Sequence, residues 1–211
     1  MKTLRLSLIA ILLLFIVSCI SPVTFNEPQP KGGKDLSEFP AKLIGKYQSS
    51  DNVSYLLIGK NIILRNYDYD LKAHIKEMDS TYKLSGDTLI NIETKEKYIT
   101  KKVGDTIIYH VNLTDTLFRL SDNNVLRKFK GYYFLNTFEG KENWTVEKLD
   151  LTKGKLTLGQ IRSTEDITKL NEIVESPKDT ISTHFNLTKK QFRKFVKSNS
   201  FTDIEVFTRM K

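Results

Sequence analysis

The chain has one cysteine, Cys19, so no internal disulfide can form and the fold must stand on its core. Its five prolines leave a long gap between Pro40 and Pro177. The three histidines, His74, His110 and His184, are far apart, and no His-Glu-x-x-His pattern occurs. A metal or acid–base centre would need the fold to gather them, and isolated histidines on strand surfaces are the plainer reading. There is no Gly-x-Ser-x-Gly elbow, phosphate loop or dinucleotide fingerprint. The apolar run from Leu8 to Val17 is ten residues long, against about 20 for a helix that spans a bilayer.

That short run is nevertheless the most informative stretch. Lys2 and Arg5 precede it, and small Ser18 and then Cys19 follow. A charged start, a short apolar core and a small-residue end describe a secretory signal. The sequence Ile16-Val17-Ser18-Cys19 resembles the lipobox of bacterial lipoproteins, with Ile16 where that family usually has Leu. The resemblance implies a signal peptide over 1–18, lipid on the Cys19 sulfur, cleavage before Cys19 and an acylated new amine. Three acyl chains would hold the protein firmly, where one holds only marginally. A lipidated Cys19 leaves the mature chain without a thiol nucleophile. Ile20 and Ser21 stand where an Asp would favour inner-membrane retention. The family pattern therefore implies an outer-membrane anchor, facing the periplasm.

The formal charge is +8, and loss of Lys2 and Arg5 with the signal lowers it to +6. Anionic lipid, glycan and acidic protein all suit such a surface, though plain solubility explains it as well. An envelope address argues against nucleic acid. Nothing in the sequence calls for a cofactor.

From Ile20 to Phe39 the chain carries Pro22, Pro28, Pro30, Gly32 and Gly33 among few apolar residues. Breakers at that density predict a flexible tether over 19–39, with an r.m.s. reach of roughly 25 Å. The folded domain is then expected over 40–211.

That domain reads as mainly β, an antiparallel meander. Turn signals such as Ser85-Gly86-Asp87, Gly104-Asp105 and Lys153-Gly154-Lys155 recur between apolar stretches. Strands are predicted over 55–58, 62–64, 88–92, 106–111, 116–120, 156–161 and 204–207, with a further one over 180–186. A loose similarity links Gly45-Lys46-Tyr47 and its following hairpin to Gly131-Tyr132-Tyr133 and its own. Two related lobes meeting near 121–127, a barrel-like closure and chance likeness are all compatible with it. Ile167, Leu170, Ile173 and Val174 recur at helical spacing behind Ser163, which predicts a helix over 165–175. Thr188 and Gln191 form a capping-box pair that opens a second helix. The expected core is Ile44, Tyr55, Leu57, Ile63, Leu89, Ile107, Leu117, Phe134, Trp144, Leu156, Leu158, Phe192 and Phe195.

Several groups carry candidate chemistry. Asp68 with Asp70, Glu139 with Glu142, and Asp203 with Glu205 are carboxylate pairs. Paired acids can serve glycoside hydrolysis. For Asp68 and Asp70, beside Asn66, a turn is the simpler expectation. Lys189, Lys190, Arg193, Lys194 and Lys197 make the second helix basic opposite Phe192, Phe195 and Val196. Such a helix can lie on an anionic membrane, but packing on the sheet with solvated lysines is the favoured reading. Asp followed by Ser or Thr and then Thr or an aliphatic residue recurs at Ser80, Thr88, Thr106, Thr116 and Thr180. This form is similar to an O-glycosylation sequon of one group of Gram-negative bacteria, and it also describes a turn leading into a strand. The functional expectation is a lipid-anchored envelope protein acting as a binding or structural module for a protein, glycan or small molecule. A lipocalin-like carrier of an apolar ligand and an envelope hydrolase using paired carboxylates are the alternatives.

Overall fold

A computed structural model describes residues 22–177 and 181–210. Cys19 and Thr180 lie outside the described residues. The strands, in chain order, are β1 (Thr24–Phe25), β2 (Asp35–Leu36), β3 (Gly45–Ser49), β4 (Ser54–Ile58), β5 (Ile62–His74), β6 (Tyr82–Ser85), β7 (Thr88–Asn91) and β8 (Lys97–Val103). Then come β9 (Thr106–Arg119), β10 (Asn124–Phe129), β11 (Tyr132–Gly140), β12 (Asn143–Thr152), β13 (Lys155–Gln160), β14 (His184–Phe185) and β15 (Asp203–Arg209). Two α-helices lie near the C-terminal end, α1 (Thr164–Val174) and α2 (Lys189–Lys197).

The strands join in the order β2-β10-β11-β12-β13-β15-β3-β4-β5-β9-β8-β7-β6. Neighbours along that path are antiparallel. The domain is therefore mainly β, as the sequence predicts, and the sheet is not closed into a barrel. β15 joins the two meanders by pairing β13 on one side and β3 on the other. The chain passes from one meander to the other at 120–123, but the two share one core. Ser121 to Asn124 is a tight turn, and Leu126 on β10 sits fully buried in a core shared with Leu56 and Ile63 of β4 and β5.

Both faces of β11 are covered, because successive strand residues point to opposite sides. Phe134 faces a core with Phe192, Phe195 and Phe201, while Tyr133 and Leu135 face one with Phe39, Leu56, Phe118 and Phe207. The helices form half of the first core. Ser163 Oγ accepts from the Asp166 amide at 3.0 Å and starts α1, which buries Ile167, Leu170 and Ile173. Thr188 and Gln191 form the expected capping box at the start of α2, which buries Phe192, Phe195 and Val196. Between α2 and β15 the chain presses closely on β13. A Cβ at Gly159 would lie 2.9 Å from the Phe201 carbonyl oxygen, so glycine is required there.

The main correction concerns the N-terminal segment. Residues 22–39 are not a flexible tether. Val23 and Phe25 are buried among the helix-side residues, and Phe39 is buried on the other side. β1 pairs with β14 in parallel and with β12 in antiparallel fashion. The chain then crosses β10 and β11 as a breaker-rich strap held by polar groups. The Asn136 amide accepts from Gln29 N at 2.6 Å and donates to Gln29 O at 3.0 Å. The Arg127 guanidinium donates to the carbonyls of Pro28 and Pro30 and to Asp35 Oδ1. Prolines and glycines rule out a helix here, but they permit a strap whose carbonyls are satisfied by side chains from elsewhere.

Smaller corrections concern register. In Tyr55-Leu56-Leu57-Ile58 every residue is apolar, so alternation alone cannot choose a face. Leu56 and Ile58 turn inward; Leu57 is 36 % exposed and Tyr55 half-buried. Ile44, Leu117 and Trp144 are half-buried rather than core. The stretches 106–111 and 116–120 belong to one long strand, β9, and 62–64 is only the start of β5. Of the strand expected over 180–186, only His184–Phe185 (β14) forms a strand among the described residues.

Candidate functional site

At one end of the sheet the inner face stops being apolar. Strand alternation carries Leu135 on to Thr137 and Glu139 along β11, and Leu149 back to Glu147 and Thr145 along β12. Gln160 at the end of β13 and Arg162 just beyond it complete a polar rim. These groups, with Leu117 from β9 and Pro22, Val23, Val146 and Ile161, line a cavity of about 760 Å³. That volume lies in the range of small-molecule sites.

The lining offers both donors and acceptors. Thr145 Oγ1 donates to Glu139 Oε1 at 3.1 Å. The Gln160 amide donates to Glu147 Oε1. Behind Glu147, Arg65 Nη2 lies 2.8 Å from Glu205 Oε2, and the buried Arg65 Nε–H has no partner among the described residues. Arg162 Nε is 3.8 Å from Asp203 Oδ2. Carboxylates, the Arg162 guanidinium, an amide and hydroxyls therefore converge on one concave surface. Such a surface can hydrogen-bond a ligand with several hydroxyl or amide groups.

Burial pushes the Glu147 carboxyl above the ordinary glutamate range. The Gln160 hydrogen bond works against that shift, and the nearby Glu205 charge adds to it. A raised value means that the folded state holds the Glu147 proton more tightly than the unfolded chain does. The associated stability is present below the ordinary value of 4.5 and is lost as pH rises through the raised value. Glu147→Gln keeps the acceptor for Gln160 and removes the titration. The variant is expected to be at least as stable as the parent at pH 7, with a flatter decline above pH 5, in urea unfolding across pH. A clear loss of stability at pH 7 would show that ionised Glu147 is favourable instead.

The carboxylates singled out in the sequence divide between this site and elsewhere. Glu139 is in the cavity wall, whereas Glu142 occupies the β11–β12 turn with φ of 61°. Asp203 and Glu205 share one face of β15 and pair with Arg162 and Arg65. Asp68 and Asp70 are not in a turn. They lie on one face of β5, the long antiparallel partner of β9, where His110 reaches both: Nδ1 is 3.0 Å from Asp70 and Nε2 3.3 Å from Asp68. The turn expectation failed because the same face continues the polar ladder of buried Asn66, which donates to Thr114 at 2.8 Å and Asn112 at 3.1 Å. This cluster is exposed and forms no part of the cavity wall described above.

His74 faces Thr106, and His184 accepts from or donates to Thr24 Oγ1 at 2.9 Å. The fold does not gather the three histidines, and no metal-ligand cluster occurs among the described residues. Ser80, Thr88, Thr106 and Thr116 all lie on or beside the paired strands β5 and β9 and the strands β6–β8 that extend them. Ser80 and Thr88 donate to their preceding aspartates at 3.3 and 3.1 Å, as turn-initiating pairs do. The basic residues of α2 are exposed, and its apolar face is spent on the core.

Sequence reasoning missed Arg65, Thr137, Thr145, Glu147, Gln160 and Arg162. All but Arg162, which follows β13, sit in ordinary strand patterns; the sheet brings them together at the recess, with Arg65 behind Glu147. No protein-family model, curated protein or solved structure matches the chain.

Proposed function

We propose that the chain is a lipid-anchored protein of the bacterial envelope whose folded domain is a binding module for a small polyhydroxylated ligand. The cavity carries this reading: where the apolar filling of the inner face ends, a recess of about 760 Å³ presents donors and acceptors together. The lipobox-like Ile16-Val17-Ser18-Cys19 supports the anchor, and with it an outer-membrane address. Saccharides are the ligand class that suits a recess with two carboxyls, an amide, hydroxyls and a guanidinium. A carrier of apolar ligands has less support, because Phe39, Leu56, Phe118 and Phe207 fill the inner face and the sheet stays open. The hydrolase reading on Asp68 and Asp70 has less support, because both are exposed and lie outside this recess.

Two measurements test the proposal. The mature protein extracted from membranes should have the mass of residues 19–211 plus lipid, and Cys19→Ser should remove the lipid. The soluble domain should gain thermal stability with some members of a panel of envelope saccharides. That gain should fall at least tenfold in apparent affinity in Gln160→Leu, which removes an amide from the recess. A panel without any stabilising member, or stabilisation indifferent to Gln160→Leu, overturns the ligand reading.

A further inference from the structure

The cavity and the membrane anchor are joined by almost no chain. The fold grips the polypeptide from its first described residues. Val23 is 5 % exposed, the Thr24 amide donates to Thr183 O at 2.8 Å, and Asn26 N donates to Phe185 O at 3.1 Å. Phe25 is fully buried opposite Trp144 of β12. Pro22 and Val23 themselves form part of the cavity wall. Cys19 precedes Pro22 by three residues, and the apolar run ends at Val17. A fully extended chain spans at most about 3.6 Å per residue, so the Cys19 Cα lies within about 11 Å of the Pro22 Cα. The headgroup layer on each side of a bilayer is itself roughly 5–8 Å thick.

We infer that the Pro22 edge of the cavity rests against the membrane surface, and that the recess opens among the polar headgroups of the anchoring leaflet. The inference rests on the anchoring reading above. A tether of 20 flexible residues would have let the domain tumble roughly 25 Å away. With the strap folded down, a lipid on Cys19 holds one fixed edge of the domain at the bilayer. The lining of that edge suits the interface. Arg162 is exposed there in the same cavity wall as Glu139, and the single tryptophan, Trp144, is half-buried against Phe138 with ring centroids 5.1 Å apart. Tryptophan favours a boundary that is apolar on one side and wet on the other. The partner of this edge is thus a lipid surface, and the recess is placed to take polyhydroxyl groups displayed on it.

Trp144 is also the only tryptophan, which makes it a built-in probe one strand away from β1. The full-length lipidated protein would be placed in phospholipid vesicles containing a dansyl-headgroup lipid. Energy transfer from Trp144 to dansyl would be compared with a variant carrying about 20 Gly/Ser residues between Ser21 and Pro22. Flotation of both proteins with vesicles is measured in parallel, with Cys19→Ser as the unanchored control. The expected result is flotation of both anchored proteins, with transfer at least threefold stronger at native spacing. Equal transfer in two proteins that both float overturns the close docking while leaving the anchor intact. Failure of the native protein to float, as for Cys19→Ser, overturns the anchor and this placement together.

Discussion

A chain that begins at Pro40 is expected to lose cooperative folding. The deleted strap supplies Val23, Phe25 and Phe39, all at most 5 % exposed, to the two cores. Removing a buried phenylalanine side chain costs about 3–5 kcal/mol, and burying a valine contributes roughly 1.5–3 kcal/mol. The polar losses add to this. Arg127 is 9 % exposed and gives its guanidinium hydrogen bonds to Pro28, Pro30 and Asp35, all of which the deletion removes. A buried cation stripped of its partners costs about 3–5 kcal/mol. Together these terms match or exceed the roughly 5–15 kcal/mol that holds a typical domain folded. Thermal unfolding followed by circular dichroism is the check. The shortened chain should show no sharp transition, whereas a chain that begins at Pro22 should melt cooperatively. A shortened chain that melts sharply near the parent midpoint would restore the strap to the status of a tether.

The contrast between strap and strands shows which features a single sequence displays. β4, β7, β13 and β15 announce themselves through branched and aromatic residues between turns, even where, as in β4, the pattern does not show which face is buried. The helices announce themselves through Ser163 and Thr188, whose caps act within three residues. The strap's order is of another kind. Gln29 meets Asn136 at a separation of 107 residues, and Arg127 meets Pro30 at 97. Local composition reports only that the segment cannot be a helix or a central strand. It says nothing about whether distant side chains will satisfy its backbone.

The candidate site was hidden for the same reason. Thr137, Thr145, Glu147 and Gln160 look like solvent-facing members of alternating strands. They lie instead on the inner face of a curled sheet, beyond the point where Leu135, Leu149 and Leu158 stop filling it. Asp68 and Asp70 misled in the opposite direction. Their spacing of two placed them on one strand face, as paired acids require, but that face looks outward beside His110. Spacing predicts shared faces; burial decides whether a shared face is a site.

Asn136→Leu separates the strap's contribution from that of the cores it covers. Asn136 is fully buried, and its side chain reads Gln29 as a neighbouring strand would, accepting from its N–H and donating to its C=O. It also donates toward Val125 O and Phe134 O at 3.3 and 3.2 Å. Leucine has a similar size but leaves both Gln29 backbone groups buried and unpaired. Each such group costs about 1–3 kcal/mol, so the substitution should destabilise the domain by about 2–6 kcal/mol in urea unfolding. The loss should also be local. Lys31 and Lys34 lie in the strap, and trypsin should cut there at least tenfold faster in the variant while the β11–β13 region stays resistant. If the recess uses Pro22 and Val23 as its wall, saccharide stabilisation should weaken in the same variant, although Asn136 is not itself part of that wall. Unchanged trypsin cleavage together with unchanged stability would mean that Val23 and Phe25 alone hold the strap. Faster cleavage with intact saccharide binding would detach the recess from the strap and leave β11, β12 and β13 as its only essential walls.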